Sequence, residues 1–195
     1  MKCPHWHYFL TLDADLDLTS RYVEICQDNF KTYSIEYVRI LLAAGSEIDV
    51  VAKLLYEKID SSRDRKAENI NHYRKIITAK YSHFHKMEVF LPRYAITLTP
   101  WEAWKGTANP EWWTSYNDVK HERHLNFRKA NLWNVLNAVA GLFVMVTYLY
   151  YDSLPELFEL QPPRLLSLPE TYKEGVKWAT TYSLPDFRGV KRSPP

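Results

Sequence analysis

Leu132–Tyr151 is twenty residues long and contains no formally charged side chain. As an α-helix it is about 30 Å long, enough to span a bilayer or the middle of a small domain. A helix that is apolar on every side must lie in lipid or be wrapped by other elements. Asn134 and Asn137 occupy its first turns and Asn131 precedes it, which disfavours lipid. Ala138, Ala140 and Gly141 lower its profile so that neighbouring helices can approach closely. The remaining helical segments are amphipathic and need a surface to cover. The buried centre of a bundle is therefore the favoured reading, with a membrane-associated helical protein as the alternative. On spacing, this helix is expected to run from about Phe127 to Tyr151, capped by Asn126.

The rest of the composition fits an all-α chain. The 195 residues suffice for one domain with a substantial core, and 46% of them are apolar. Only 5 are glycine, which argues against a turn-rich β-sandwich and against a glycine-rich phosphate loop. Net charge is +2, so any nucleic-acid affinity has to come from a local cluster rather than from the total. Cys3 and Cys26 are the only cysteines. With an N-terminus, MKCPHWHYFL, that does not read as a secretory leader, they point to the reducing cytoplasm.

Taken in order, residues 6–18 place Tyr8, Phe9, Leu12 and Leu16 at helical spacing with aspartates between. A short helix is expected over Arg21–Asn29, followed by a long one capped by Ser34 and ending near Asp60. Its inward stripe is Val38, Leu41, Leu42, Gly45, Ile48, Ala52 and Leu55. Asp49 is spaced to pair with Lys53, and Glu47 lies on another flank. Residues 61–68 are a charged connector, and Asn69–Lys80 reads as a helix. Met87–Leu91 and Tyr94–Leu98 suggest a small β-ribbon, and 101–109 a Trp-rich loop closed by Pro110 at the start of the next helix. These elements make residues 1–151 a helical bundle domain. Residues 152–195 carry seven prolines and read as an extended tail with a helical turn near 172–180. The tail is expected to strap onto the domain or a partner through Leu157, Phe158, Leu165, Leu166 and Trp178.

The polar groups that can do chemistry concentrate just before the apolar helix. Asn117, His121, His124 and Arg128 fall on one stripe of a continuous helix, flanked by Lys120 and Arg123. Imidazoles exchange protons near neutral pH, while guanidinium and ammonium groups offset phosphate charge. The set suits a phosphodiester; a solvated polar face beside a core helix is the plain alternative. For metal, Cys3, His5 and His7 with His83 and His85 match ligand spacing only weakly, so neither a metal nor another cofactor is expected.

The stretch WWTSYNDVKHERHLNFRKANLWNVLNAVAGLFVMV, together with YSIEYVRILLAAGSEIDVVAKLL, resembles HEPN-like proteins (higher eukaryotes and prokaryotes nucleotide-binding) over roughly residues 34–151. The resemblance implies a small all-α bundle, often a homodimer. It also implies either a metal-independent endoribonuclease of toxin–antitoxin or antiviral defence systems, with RNA and a cognate inhibitor as partners, or a non-catalytic RNA- or protein-binding module. The family signature is an Arg, four to six variable residues and then a His; here the order before the central helix is His121 then Arg123. By position, the resemblance carries over Asn117, Lys120, His121 and Arg123 as catalytic residues, with Glu47 as the orienting acid and His124 and Arg128 on the substrate. In the binding-module reading, the Trp-rich loop at 101–113 shares the contact surface.

Overall fold

The computed structural model describes residues 3–60, 69–150 and 162–168. Among the described residues five helices form a bundle: α1 (Pro4–Thr19), α2 (Ile35–Ile59), α3 (Ile70–Lys80), α4 (Glu111–Asn126) and α5 (Leu132–Tyr150). Between α3 and α4 lies one antiparallel ribbon, β1 (Val89–Leu91) and β2 (Ile96–Leu98), with Val89 opposite Leu98. Its turn holds Ala95 in the left-handed region at φ 53°.

The apolar helix is the centre of the bundle. α5 has mean hydropathy 1.7 and is long and apolar enough to cross a membrane, yet 83% of that stretch is buried by the surrounding chain. α2 packs along it most extensively, with α1 and α4 on its other sides. The α2 stripe is inward as its spacing requires: Val38, Leu41, Gly45, Ile48, Ala52 and Leu55 are buried, and only Leu42 reaches the surface in part. Ser34 caps α2 by accepting the Tyr37 N–H, and Asn69 caps α3 in the same way. The Asp49–Lys53 ion pair forms on the outer side of α2.

Two glycines let α4 and the Trp-rich loop close on the core. At Gly45 of α2 the Tyr116 ring occupies the space a Cβ would need, and at Gly141 of α5 a Cβ would meet the Trp112 ring at 3.0 Å. Trp101 donates its indole N–H to the Gly141 carbonyl at 3.1 Å, and Trp112 donates to the Pro100 carbonyl at 2.8 Å. Trp101, Trp104, Trp112 and Trp113 are all buried, with Trp104 stacked on Phe84 and Trp101 tilted against it. The tryptophans of the loop are thus core and offer no ring to a partner, while Glu102 and residues 105–108 lie on the surface. Irregular backbone has no period to announce its burial.

Two further expectations change. Residues 21–26 form turns, with one turn of 3-10 helix at Gln27–Asn29 and Tyr22 fully on the surface. On α1, Tyr8 faces out and Asp13 faces in. Asp13 is wholly buried, four residues after Phe9 and three before Leu16, and so falls on the inward stripe. Its carboxylate accepts the backbone N–H groups of Arg164, Leu165 and Leu166, the last at 3.1 Å. Ser167 exchanges backbone hydrogen bonds with Phe90 of β1 at 2.7 and 2.8 Å, and Leu165 and Leu166 are buried. Residues 164–167 are thus strapped to α1 and β1. The connector 61–68, Leu157, Phe158, Trp178 and the turn near 172–180 lie outside the described residues.

Candidate functional site

The N-terminal half of α4 is anchored and its C-terminal half is not. Trp112, Trp113, Tyr116 and Val119 are buried, whereas every residue from Lys120 to Leu125 is exposed. The helix breaks at Glu122, whose backbone sits at φ −136°, ψ 52°. Carbonyls freed by such a break need donors. Asn126 supplies them, its side-chain amide lying 3.1 Å from the Glu122 carbonyl and 3.5 Å from that of Asp118. Lys129 ties back to Asp118 at 2.6 Å. The chain then makes one 3-10 turn, Phe127–Lys129, before α5 starts. The expected cap of α5, Asn126, therefore serves the break instead. Asn131 caps α5, accepting the Asn134 N–H at 3.0 Å, while residues 30–33 hold the junction through backbone bonds to Asn131, Leu132 and Trp133.

The break removes the continuous stripe predicted for 117–128 and regroups its members. Lys120, His121, Arg123 and His124 line an open cleft of about 560 Å³. Its apolar floor is Leu42, Val119 and Phe127. Among the described residues, no carboxylate lines it. His121, Arg123 and His124 make no hydrogen bond or ion pair with any described residue, and Lys120 rests 5.5 Å above the Tyr116 ring. Three groups able to carry positive charge thus face one recess uncommitted, beside a fourth on an aromatic surface.

The other candidate residues lie apart from this recess. Asn117 donates its amide to the Trp113 carbonyl one turn back, at 2.9 Å. Arg128 lies 5.7 Å over the Tyr33 ring, which in turn meets Phe127 edge-on. Glu47 does not orient the His121–Arg123 pair. Its carboxylate is 2.6 Å from Nδ1 of His5 on α1, where Tyr150 also meets the His5 backbone N–H at 3.3 Å. That flank of α2 faces α1, and burial has pushed the Tyr150 hydroxyl up to about 12. Of the weak metal-ligand set, His5 is engaged by Glu47, and no group of three or more His, Cys, Asp or Glu suited to an ion occurs among the described residues. Sequence reasoning missed the apolar floor of the cleft. Leu42 was assigned inward with the α2 stripe, and only the position of the break shows that its edge is shared with the cations.

No protein-family model, curated protein or solved structure matches this chain.

Proposed function

We propose that this chain is a HEPN-like helical module that binds RNA through the cationic cleft at the break in α4. The observation that carries the reading is the convergence of Lys120, His121, Arg123 and His124 on one recess with no carboxylate among its described lining residues. Phosphate oxygens supply the acceptors those groups lack, and the apolar floor of Leu42, Val119 and Phe127 suits a sugar or base. A local patch of this kind needs no large net charge, in keeping with the total of +2.

The test is a titration of labelled single-stranded RNA with the full chain at several salt concentrations. Engagement of three to four phosphates gives a slope of log K against log salt of about −2 to −3. Arg123→Ala then lowers affinity and flattens the slope by about 0.7. Binding that ignores salt, or an Arg123→Ala variant equal to the parent, refutes the reading.

Metal-independent cleavage is the second reading, favoured by one observation: His121 and His124 face the same recess and neither has a partner among the described residues. One imidazole takes the proton of the 2′-OH as that oxygen attacks phosphorus. The other returns a proton to the departing 5′-oxygen, leaving a 2′,3′-cyclic phosphate. Arg123 and Lys120 offset the added charge on the phosphate oxygens. Cleavage in EDTA that is lost in His121→Ala while RNA binding persists supports this reading; binding without cleavage leaves the module non-catalytic. Toxin or antiviral roles in the cytoplasm, a cognate inhibitor, and a homodimer that sets two clefts side by side belong to the cleaving form.

A further inference from the structure

Just past the floor of the cationic cleft stands a solvent-facing tyrosine. The Tyr33 ring meets Phe127 edge-on with centroids 5.7 Å apart, and Phe127 lines the cleft with Lys120, His121, Arg123 and His124. Tyr33 is 41% exposed. Arg128 stands over the same ring, its guanidinium carbon 5.7 Å from the centroid. The Arg128 side chain is exposed and makes no hydrogen bond or ion pair with a described residue. A ring and a planar cation thus adjoin the phosphate-sized recess, and neither is committed to the core.

The backbone that carries Tyr33 is held firmly. Tyr33 bridges to Asn131 as an isolated antiparallel pair, and Leu132 donates its N–H to the Thr32 carbonyl at 2.9 Å. Trp133 donates to the Phe30 carbonyl at 3.1 Å, and the two rings pack with centroids 4.7 Å apart. Ser34, the next residue, caps α2. The ring therefore sits where α2 and α5 both begin, so a ligand that uses it orders little backbone on binding.

An unpaired nucleotide matches this arrangement. It places a phosphate next to a base with two open faces, and bases stack on aromatic rings and on guanidinium planes alike. In a duplex those faces are already covered by neighbouring pairs. An anionic lipid surface meets the same charges but has no flat group to set between a ring and a guanidinium.

We infer that Tyr33 and Arg128 form a stacking site for one base of a single-stranded RNA whose adjoining phosphate lies in the cleft. The inference rests on the RNA-binding reading above and narrows its ligand to unpaired strands. The base lies on the Tyr33 ring, and the Arg128 guanidinium covers its other face. Two successive van der Waals separations take about 7–8 Å, so the guanidinium moves outwards by about 2 Å as the base enters. Its exposed position allows that movement. Holding one base also sets which phosphate faces His121 and His124.

The full chain is titrated with a short single-stranded oligoribonucleotide carrying 2-aminopurine, with the same strand annealed to its complement, and with an abasic strand of equal length. The base-bearing single strand should bind at least about fivefold more tightly than the abasic one, and its fluorescence should be quenched on stacking. Tyr33→Leu keeps apolar bulk against Phe127 but removes the flat face. It should bring the single strand to about the abasic level and abolish the quench, with the salt slope and duplex affinity unchanged because no charge is lost. Tyr33→Phe keeps the ring and should bind as the parent does. Arg128→Lys keeps the charge but not the plane, and should weaken the base-bearing strand alone. Equal affinity of the parent for base-bearing and abasic strands, a quench that survives Tyr33→Leu, or parent-level affinity in Arg128→Lys overturns the stacking site while leaving a salt-dependent RNA cleft in place. Absence of salt-dependent binding to every strand overturns the RNA reading and this inference with it. Sedimentation with phosphatidylserine vesicles that Tyr33→Leu abolishes, without preference for a base-bearing strand, assigns the surface to lipid and overturns it as well.

Discussion

Replacing Asp13 by alanine tests what holds the C-terminal strap. Residues 162–168 are fixed by the Asp13 carboxylate, by two backbone hydrogen bonds to Phe90 and by the burial of Leu165 and Leu166. Burying two leucines contributes about 3–6 kcal/mol in all. Ordering seven backbone residues costs at least about 7 kcal/mol, so the leucines alone do not keep the segment docked. Three hydrogen bonds to the Asp13 carboxyl add about 0.5–1.5 kcal/mol each even in its neutral form and tip the balance. Asp13→Ala removes that acceptor and leaves the Leu165 and Leu166 N–H groups buried without one. The expected loss is about 2–4 kcal/mol, localised to the strap. Amide hydrogen exchange reads it directly: Leu165, Leu166 and Ser167 should lose protection while the α2 and α5 amides keep theirs. Retained protection at Leu165 and Leu166 refutes the argument. The pH dependence gives an independent check. Burial raises the Asp13 carboxyl above its ordinary value near 3.8; the three N–H groups pull it back in part, and Asp17 nearby adds to the rise. Asp17 itself faces Arg93 at 3.5 Å. The folded chain therefore takes up this proton at a higher pH than the unfolded chain does. Asp13's contribution to stability is full below 3.8 and declines as pH rises through its folded value. The stability of the parent relative to Asp13→Asn should fall across that window, and a relative stability that rises with pH there contradicts the sign.

Two further substitutions probe packing and backbone. Gly45→Ala drives a methyl group into the Tyr116 ring; despite a gain in helix propensity of about 1 kcal/mol, a net loss of about 1–3 kcal/mol is expected in the urea midpoint. Ala95→Gly relieves the left-handed residue in the β1–β2 turn and should raise stability by up to about 1 kcal/mol, read as an upward shift in Tm.

Elements whose burial is periodic were legible in the chain. The α2 stripe, the caps at Ser34 and Asn69, the proline at the mouth of α4 and the apolar rod of α5 each follow from local rules. The ribbon and the strap follow from β-branched and proline-rich composition. What was not legible depends on which neighbour an element meets. Glu47 lay correctly on a flank of α2, but the wheel cannot say that α1 with His5, rather than α4, covers that flank. Asp13 sat among aspartates that look alike, yet its spacing from Phe9 and Leu16 already set it apart from Asp15 and Asp17. Tryptophans in a loop read equally as a sticky surface or as core, and the close approach at Gly141 decides for core.

The break in α4 is the least legible feature and the one on which the RNA reading turns. Lys120–Leu125 contains neither glycine nor proline, and nothing local forbids a helix there. The break is set from outside: Lys129 holds Asp118, residues 30–33 pin the start of α5, and Asn126 satisfies the carbonyls of Asp118 and Glu122. Asn126→Ala removes no positive charge and no side chain that lines the cleft. If charge alone drew the RNA, this variant would bind as the parent does. If the grouping of Lys120, His121, Arg123 and His124 matters, loss of the Asn126 bridge should let this turn sample other geometries. Stability should fall by only about 0.5–1.5 kcal/mol, because water can replace a donor at this partly exposed site. RNA affinity should fall several-fold with the salt slope nearly intact, since the same cations remain. Parent-level affinity in Asn126→Ala would show that the broken helix carries charge but confers no geometry on the site.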